Sequence, residues 1–110
     1  MTYKYGEYTK EQISDIKQYI RKQIFFLLLC VDRDTKEEYK NVSVDQAFDS
    51  LLQRLAGLNE LLCCPAELVR VMTLLEAARL EYNSPSFQFS KYRKLVLDAG
   101  NEVNKIKEVD

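Results

Sequence analysis

The stretch Ile24-Phe25-Phe26-Leu27-Leu28-Leu29-Cys30-Val31 is the longest uninterrupted apolar run in the chain. At about 100° per residue, so many apolar positions in a row leave no polar gap around a helix, whereas a surface helix keeps one dry stripe and one wet face. Ahead of and through this run, Ile13, Ile16, Ile20, Ile24, Leu27 and Val31 recur at three- and four-residue steps. Ser14, Gln18 and Lys22 keep the opposite side polar until Phe25, Phe26 and Leu29 take it over. Thr9, followed three positions on by Gln12, is a capping-box pattern. The first helix is therefore predicted over 9–31, with residues 1–8 as a short extended N-terminal arm carrying Tyr3, Tyr5 and Tyr8.

Three further helices follow from the same periodicity. Ser43 with Gln46 repeats the capping signature, and Val44, Phe48, Leu51, Leu55, Leu58 and Leu62 step by four and three, the seam of a bundle helix over 44–62. Pro65 ends that helix and suits the first turn of the next, since its missing N–H is one that no helix start uses. The third helix, 65–82, carries Leu68, Val71, Met72, Leu75, Ala78 and Tyr82, with Val69, Ala77 and Leu80 on other sides. This predicts the second most buried helix. Asn83-Ser84-Pro85-Ser86 is a turn cluster. The fourth helix, 87–108, is lined by Phe89, Tyr92, Val96, Ala99, Val103 and Ile106. Gly100 in its interior costs about 1 kcal/mol relative to alanine, which predicts a close helix approach there.

The charged connection 32–42 is long for a small bundle, and Tyr39 and Val42 are its means of folding back on the first helix. Four helices of similar length with short joints predict an all-α, up-and-down four-helix bundle, one domain over 1–110.

Composition narrows the function more than it alters the fold. The chain has 110 residues, 46% hydrophobic and 30% charged, with a net charge of −1, so no strong field draws it to nucleic acid or an anionic membrane. The apolar run is less than half of the roughly 20 residues a membrane helix needs. The residues after Met1 contain no apolar signal segment, and three cysteines, two adjacent, do not make an extracellular disulfide framework. The expectation is a cytoplasmic protein with reduced thiols and no membrane partner.

There is no histidine. That removes the usual general base near neutral pH, the histidine-dependent nucleophile systems and the Glu-x-x-His metal sites of carboxylate bundles. Cys30, Cys63 and Cys64 are fewer thiols than a structural zinc site requires and read as small buried hydrophobes. Cys64, at the start of the third helix, is the thiol a helix N-terminus is able to activate. Asp32 and Asp34 with Glu37 and Glu38 lack the central glycine of a calcium loop and read as a solvated connection. No enzymatic activity, catalytic residue, metal or cofactor is expected.

The expected function is instead a small helical interaction module, binding itself or another protein through Phe25, Phe26 and Leu29. The competing expectation is that the 32–42 connection or the arm covers that face within one chain. A nucleic-acid accessory role rests on Lys91, Arg93, Lys94 and Lys105 along the outer side of the fourth helix, interrupted by Asp98 and Glu102. A third possibility is a small inhibitor or adaptor of a larger protein, of the kind mobile elements encode.

Overall fold

The computed structural model describes residues 2–3, 6–7, 9–62 and 65–106. Cys63 and Cys64 lie outside the described residues, as do Lys4, Tyr5, Tyr8 and residues 107–110. Among the described residues there are four α-helices: α1 (Lys10–Leu29), α2 (Val44–Leu61), α3 (Ala66–Tyr82) and α4 (Phe89–Val103). In the N-terminal arm, β1 (Thr2–Tyr3) pairs antiparallel with β2 (Gly6–Glu7).

Local chemistry starts each helix. At α1 both halves of the capping box form: Thr9 Oγ1 accepts from the Gln12 N–H at 3.1 Å, and Gln12 Oε1 accepts from the Thr9 N–H at 2.8 Å. At α2, Ser43 Oγ accepts from the Gln46 N–H at 3.3 Å. Pro65 sits one position earlier than its spacing suggests, as the extended N-cap of α3. The Gln88 N–H ahead of α4 is held by the Glu81 carboxylate at 2.9 Å, so the end of α3 fixes the start of α4.

The helices follow one another round the bundle, α1 against α2 and α4, α3 against α2 and α4, with the most extensive packing between α3 and α4. Bonds between opposite ends give the up-and-down sense. Asp45 at the start of α2 meets Arg79 and Asn83 at the end of α3. Arg70 near the start of α3 meets Glu102 near the end of α4 at 3.0 Å. The result is an all-α four-helix bundle of 43 × 23 × 20 Å.

The core takes one stripe from every helix: Ile13, Ile20, Ile24 and Leu27; Phe48, Leu51 and Leu55; Leu68, Val71 and Leu75; Tyr92, Val96 and Val103. The third helix is not buried all round. Val69 and Leu80 are 45% and 75% exposed, because its other two sides are already occupied by α2 and α4.

Tyr92 is the centre of this core, with no exposed surface and rings of Phe48, Tyr82, Phe87 and Phe89 at 6.0–6.5 Å from its own. Its hydroxyl donates to the Leu27 carbonyl at 2.7 Å. The last carbonyls of a helix have no partner within it. At the end of α1 each finds one elsewhere. Phe26 and Leu28 accept from following N–H groups, Leu27 from Tyr92, and Leu29 from the Thr35 hydroxyl at 2.6 Å.

These donors explain why two helices stop short of their apolar pattern. The first ends at Leu29 rather than residue 31, where the chain turns so that Asp32 Oδ1 accepts from the Asp34 N–H and a 3-10 turn forms at Lys36–Tyr39. The fourth begins at Phe89, two residues after 87, and ends at Val103, well before 108. There the N–H groups of Asn104, Lys105 and Ile106 switch to carbonyls three residues back. That tighter turn buries Ile106 and aims the Asn104 and Ile106 carbonyls at Lys17 Nζ, at 3.2 and 2.8 Å. A buried cation at a helix C-terminus meets the negative end of the dipole, so Lys17 is tolerated at 9% exposure on the core side of α1.

Removing only the Tyr92 hydroxyl, by Tyr92→Phe, keeps the ring packing and leaves the Leu27 carbonyl buried without its donor. Urea unfolding should show a loss of about 1–3 kcal/mol at unchanged m-value. Leu80→Ala should stay within about 0.5 kcal/mol of the parent chain.

Candidate functional site

The apolar run of α1 does not present one face. Ile24, Leu27, Leu28 and Cys30 are buried. Phe26 is half-buried under the connection, where the Tyr39 ring meets it edge-on at 5.4 Å, and Val42 packs against the core beside it. Leu29 is half-buried, and Thr35 of the connection binds its carbonyl. Phe25 is left 53% exposed. The three residues that the pattern groups together are therefore split, with the 32–42 segment folded over two of them.

Phe25 borders a groove of about 430 Å³ between α1 and α4. Ile24 and Val96 form its floor, Phe25 and Leu97 its apolar walls, and Arg21 and Lys22 one rim. Gly100 also lines it, and a Cβ added there meets nothing within 4 Å. The expected close helix approach at Gly100 is thus absent: the glycine faces open space in the groove.

Arg21 and Lys22 have no carboxylate within helical reach. The positions three and four residues away are Lys17, Gln18, Phe25, Ile24, Tyr19 and Phe26. Among the described residues neither enters an ion pair, and nor does Arg93, which stands one turn before Leu97 on the same stripe of α4.

The other basic residues singled out on α4 are placed differently. Lys94 pairs with Asp98 at 3.5 Å and Lys105 with Glu102 at 2.8 Å, a carboxylate it shares with Arg70, so two of the four are engaged in pairs within their own helix. Lys91 is exposed. Lys91, Arg93, Lys94 and Lys105 do not form one continuous cationic surface.

Two other features compare poorly with this groove. Between α1 and α2 an apolar cleft of about 340 Å³, over Ile20, Leu51 and Leu55, is roofed by Tyr19, which Arg54 hydrogen-bonds. On α3, Val69 and Leu80 are exposed on one stripe, but Thr73 and Glu76 lie between them. Cys30 is a free, buried thiol whose burial raises its pKa, which makes it a poor nucleophile. No three His, Cys, Asp or Glu side chains converge among the described residues, and no described helix is long and apolar enough to cross a membrane.

No protein-family model matches this sequence, and neither a curated protein nor a solved structure matches it.

The paired carboxylates set the behaviour in acid. Hydrogen bonds from Asn83 and then Arg79 lower the Asp45 pKa, and those from Lys105 and Arg70 lower that of Glu102. A carboxylate with a lowered folded-state pKa stabilises the fold above its ordinary value of about 4 and loses that contribution as pH falls through the folded value. The thermal midpoint should therefore hold from neutrality to about pH 5 and drop below about pH 4. The Asp45→Asn, Glu102→Gln double variant should start lower at neutral pH and fall less steeply in acid.

Proposed function

We propose that this protein is a small, non-enzymatic, cytoplasmic interaction module that binds another protein through the α1–α4 face centred on Phe25. The supporting observation is a large aromatic side chain, more than half exposed, beside a groove that an in-helix glycine leaves open. Aromatic anchors next to unfilled pockets are where interfaces concentrate their energy. The lack of any histidine supports a binding role over a catalytic one.

A different protein fits this face better than a second copy does. Of the three expected contact residues, only Phe25 is well exposed, and a two-fold pair that buries it from both copies gains about 3–6 kcal/mol. A micromolar dimer needs about 8 kcal/mol. A two-fold axis through Phe25 also sets each Arg21 and Lys22 near the same cations of the other copy. The adaptor or inhibitor role is the form of this function that suits so small a chain. The nucleic-acid role is weaker, since Lys94 and Lys105 are spent on intrahelical pairs.

The test is a photo-crosslinking phenylalanine analogue at position 25 in the source cells, with position 80 as an exposed control. A discrete adduct with a different protein should form at 25 and not at 80, and Phe25→Asp should remain folded by circular dichroism. No adduct at position 25, or one of twice the chain mass alone, overturns the binding of a separate partner.

A further inference from the structure

The groove carries information about its occupant. Its volume of about 430 Å³ admits anchoring side chains but not a helix about 10–12 Å across. Whatever binds must lie on top and insert side chains between Phe25 and Leu97, down to Ile24 and Val96. Among the described residues the rim is charged with one sign only. Arg21 and Lys22 line it, Arg93 continues it past Leu97, and among the described residues no acidic side chain lines the groove. The nearest carboxylates on α4 are turned away: Asp98 to Lys94, and Glu102 to Arg70 and Lys105 on the α3 side.

Resting on the protein-binding reading above, we infer that the groove between α1 and α4 receives an acidic amphipathic segment of the partner, its apolar side chains seated over Gly100 and its carboxylates paired with Arg21, Lys22 and Arg93. Partner carboxylates reaching these cations replace water at an exposed rim, so they set orientation, rate and partner choice. The apolar anchors supply most of the holding energy, in the manner of a helix laid into a groove. A basic or neutral segment leaves the three cations unpaired beside the interface, which disfavours it.

The probe is a synthetic helical peptide of about 14 residues, ~21 Å long, with leucines at i, i+3, i+4 and i+7 and glutamates flanking them. It is titrated into the isotope-labelled full chain and followed by amide chemical shifts. Saturable shifts should concentrate at Phe25, Leu97 and Gly100. Binding should weaken by at least about tenfold in an Arg21→Glu, Lys22→Glu variant, whose changes lie at exposed positions. Gly100→Leu, placed where a Cβ has free space, should keep the parent spectrum elsewhere and block the peptide. The inference is overturned if the shifts fall in the α1–α2 cleft, if a lysine-for-glutamate peptide binds equally, if decanoate alone reproduces shifts and affinity, or if no shifts appear. Should the position-25 crosslink succeed while the acidic peptide fails, only the acidic character of the partner falls. A missing crosslink removes the binding role itself.

Discussion

The hydroxyl of Tyr92 on the Leu27 carbonyl is the contact on which the arrangement of α1 and α4 depends. It joins the start of one helix to the end of the other inside an aromatic cluster that excludes water, where a bond of this kind counts for most. Burial and the neighbouring Cys30 and Tyr82 raise the phenol's pKa, so it stays protonated and remains a donor. At the other end of the same pair, Lys17 holds the carbonyls of Asn104 and Ile106. The two helices are thus tied at both ends in a fixed register. Residues 18–25 of α1 and 96–101 of α4 lie between the ties, and that interval contains the groove. A glycine in this interval does not let the helices close, because their separation is set elsewhere.

How much of this was legible in the residues follows from which interactions are local. The seams of all four helices stand at three- and four-residue steps in the sequence and are the buried stripes of the structure, because burial on one side of a helix imposes that period. The start of α1 was legible for the same reason: Thr9 and Gln12 satisfy each other within one turn. The ends of α1 and α4 were not. They are decided by Tyr92, Thr35 and Lys17, side chains far along the chain or beyond a loop, and no local pattern in 24–31 or 103–108 encodes their arrival. Lys17 itself looks like an ordinary charged position until the end of α4 is placed against it.

The candidate surface shows the same division. An apolar run with no polar gap signals that α1 is covered on all sides; α2, α4 and the 32–42 connection cover most of it, but Phe25 stays 53% exposed. Which of Phe25, Phe26 and Leu29 stays uncovered depends on where Tyr39 lands, and that is a matter of tertiary geometry. The basic residues of α4 looked like a single stripe because helical projection ignores side-chain pairing. Asp98 and Glu102 then remove Lys94 and Lys105 from it.

The distribution of carboxylates connects the fold to the proposed function. Asp45 and Asp49 tie α2 to Arg79 of α3, Glu102 ties α4 to Arg70, and Asp98 lies beside Lys94. Each of these uses a carboxylate on or towards the α2–α3 or α3–α4 side. A chain with a net charge of −1 that gathers its paired acids on two seams leaves, among the described residues, cations and no carboxylate lining the α1–α4 groove. Screening within about 8 Å at physiological salt confines that imbalance to the groove and its rim. The uneven charge is therefore a product of how the helices are held together. It makes the groove beside Phe25 locally positive in a protein whose overall charge is slightly negative.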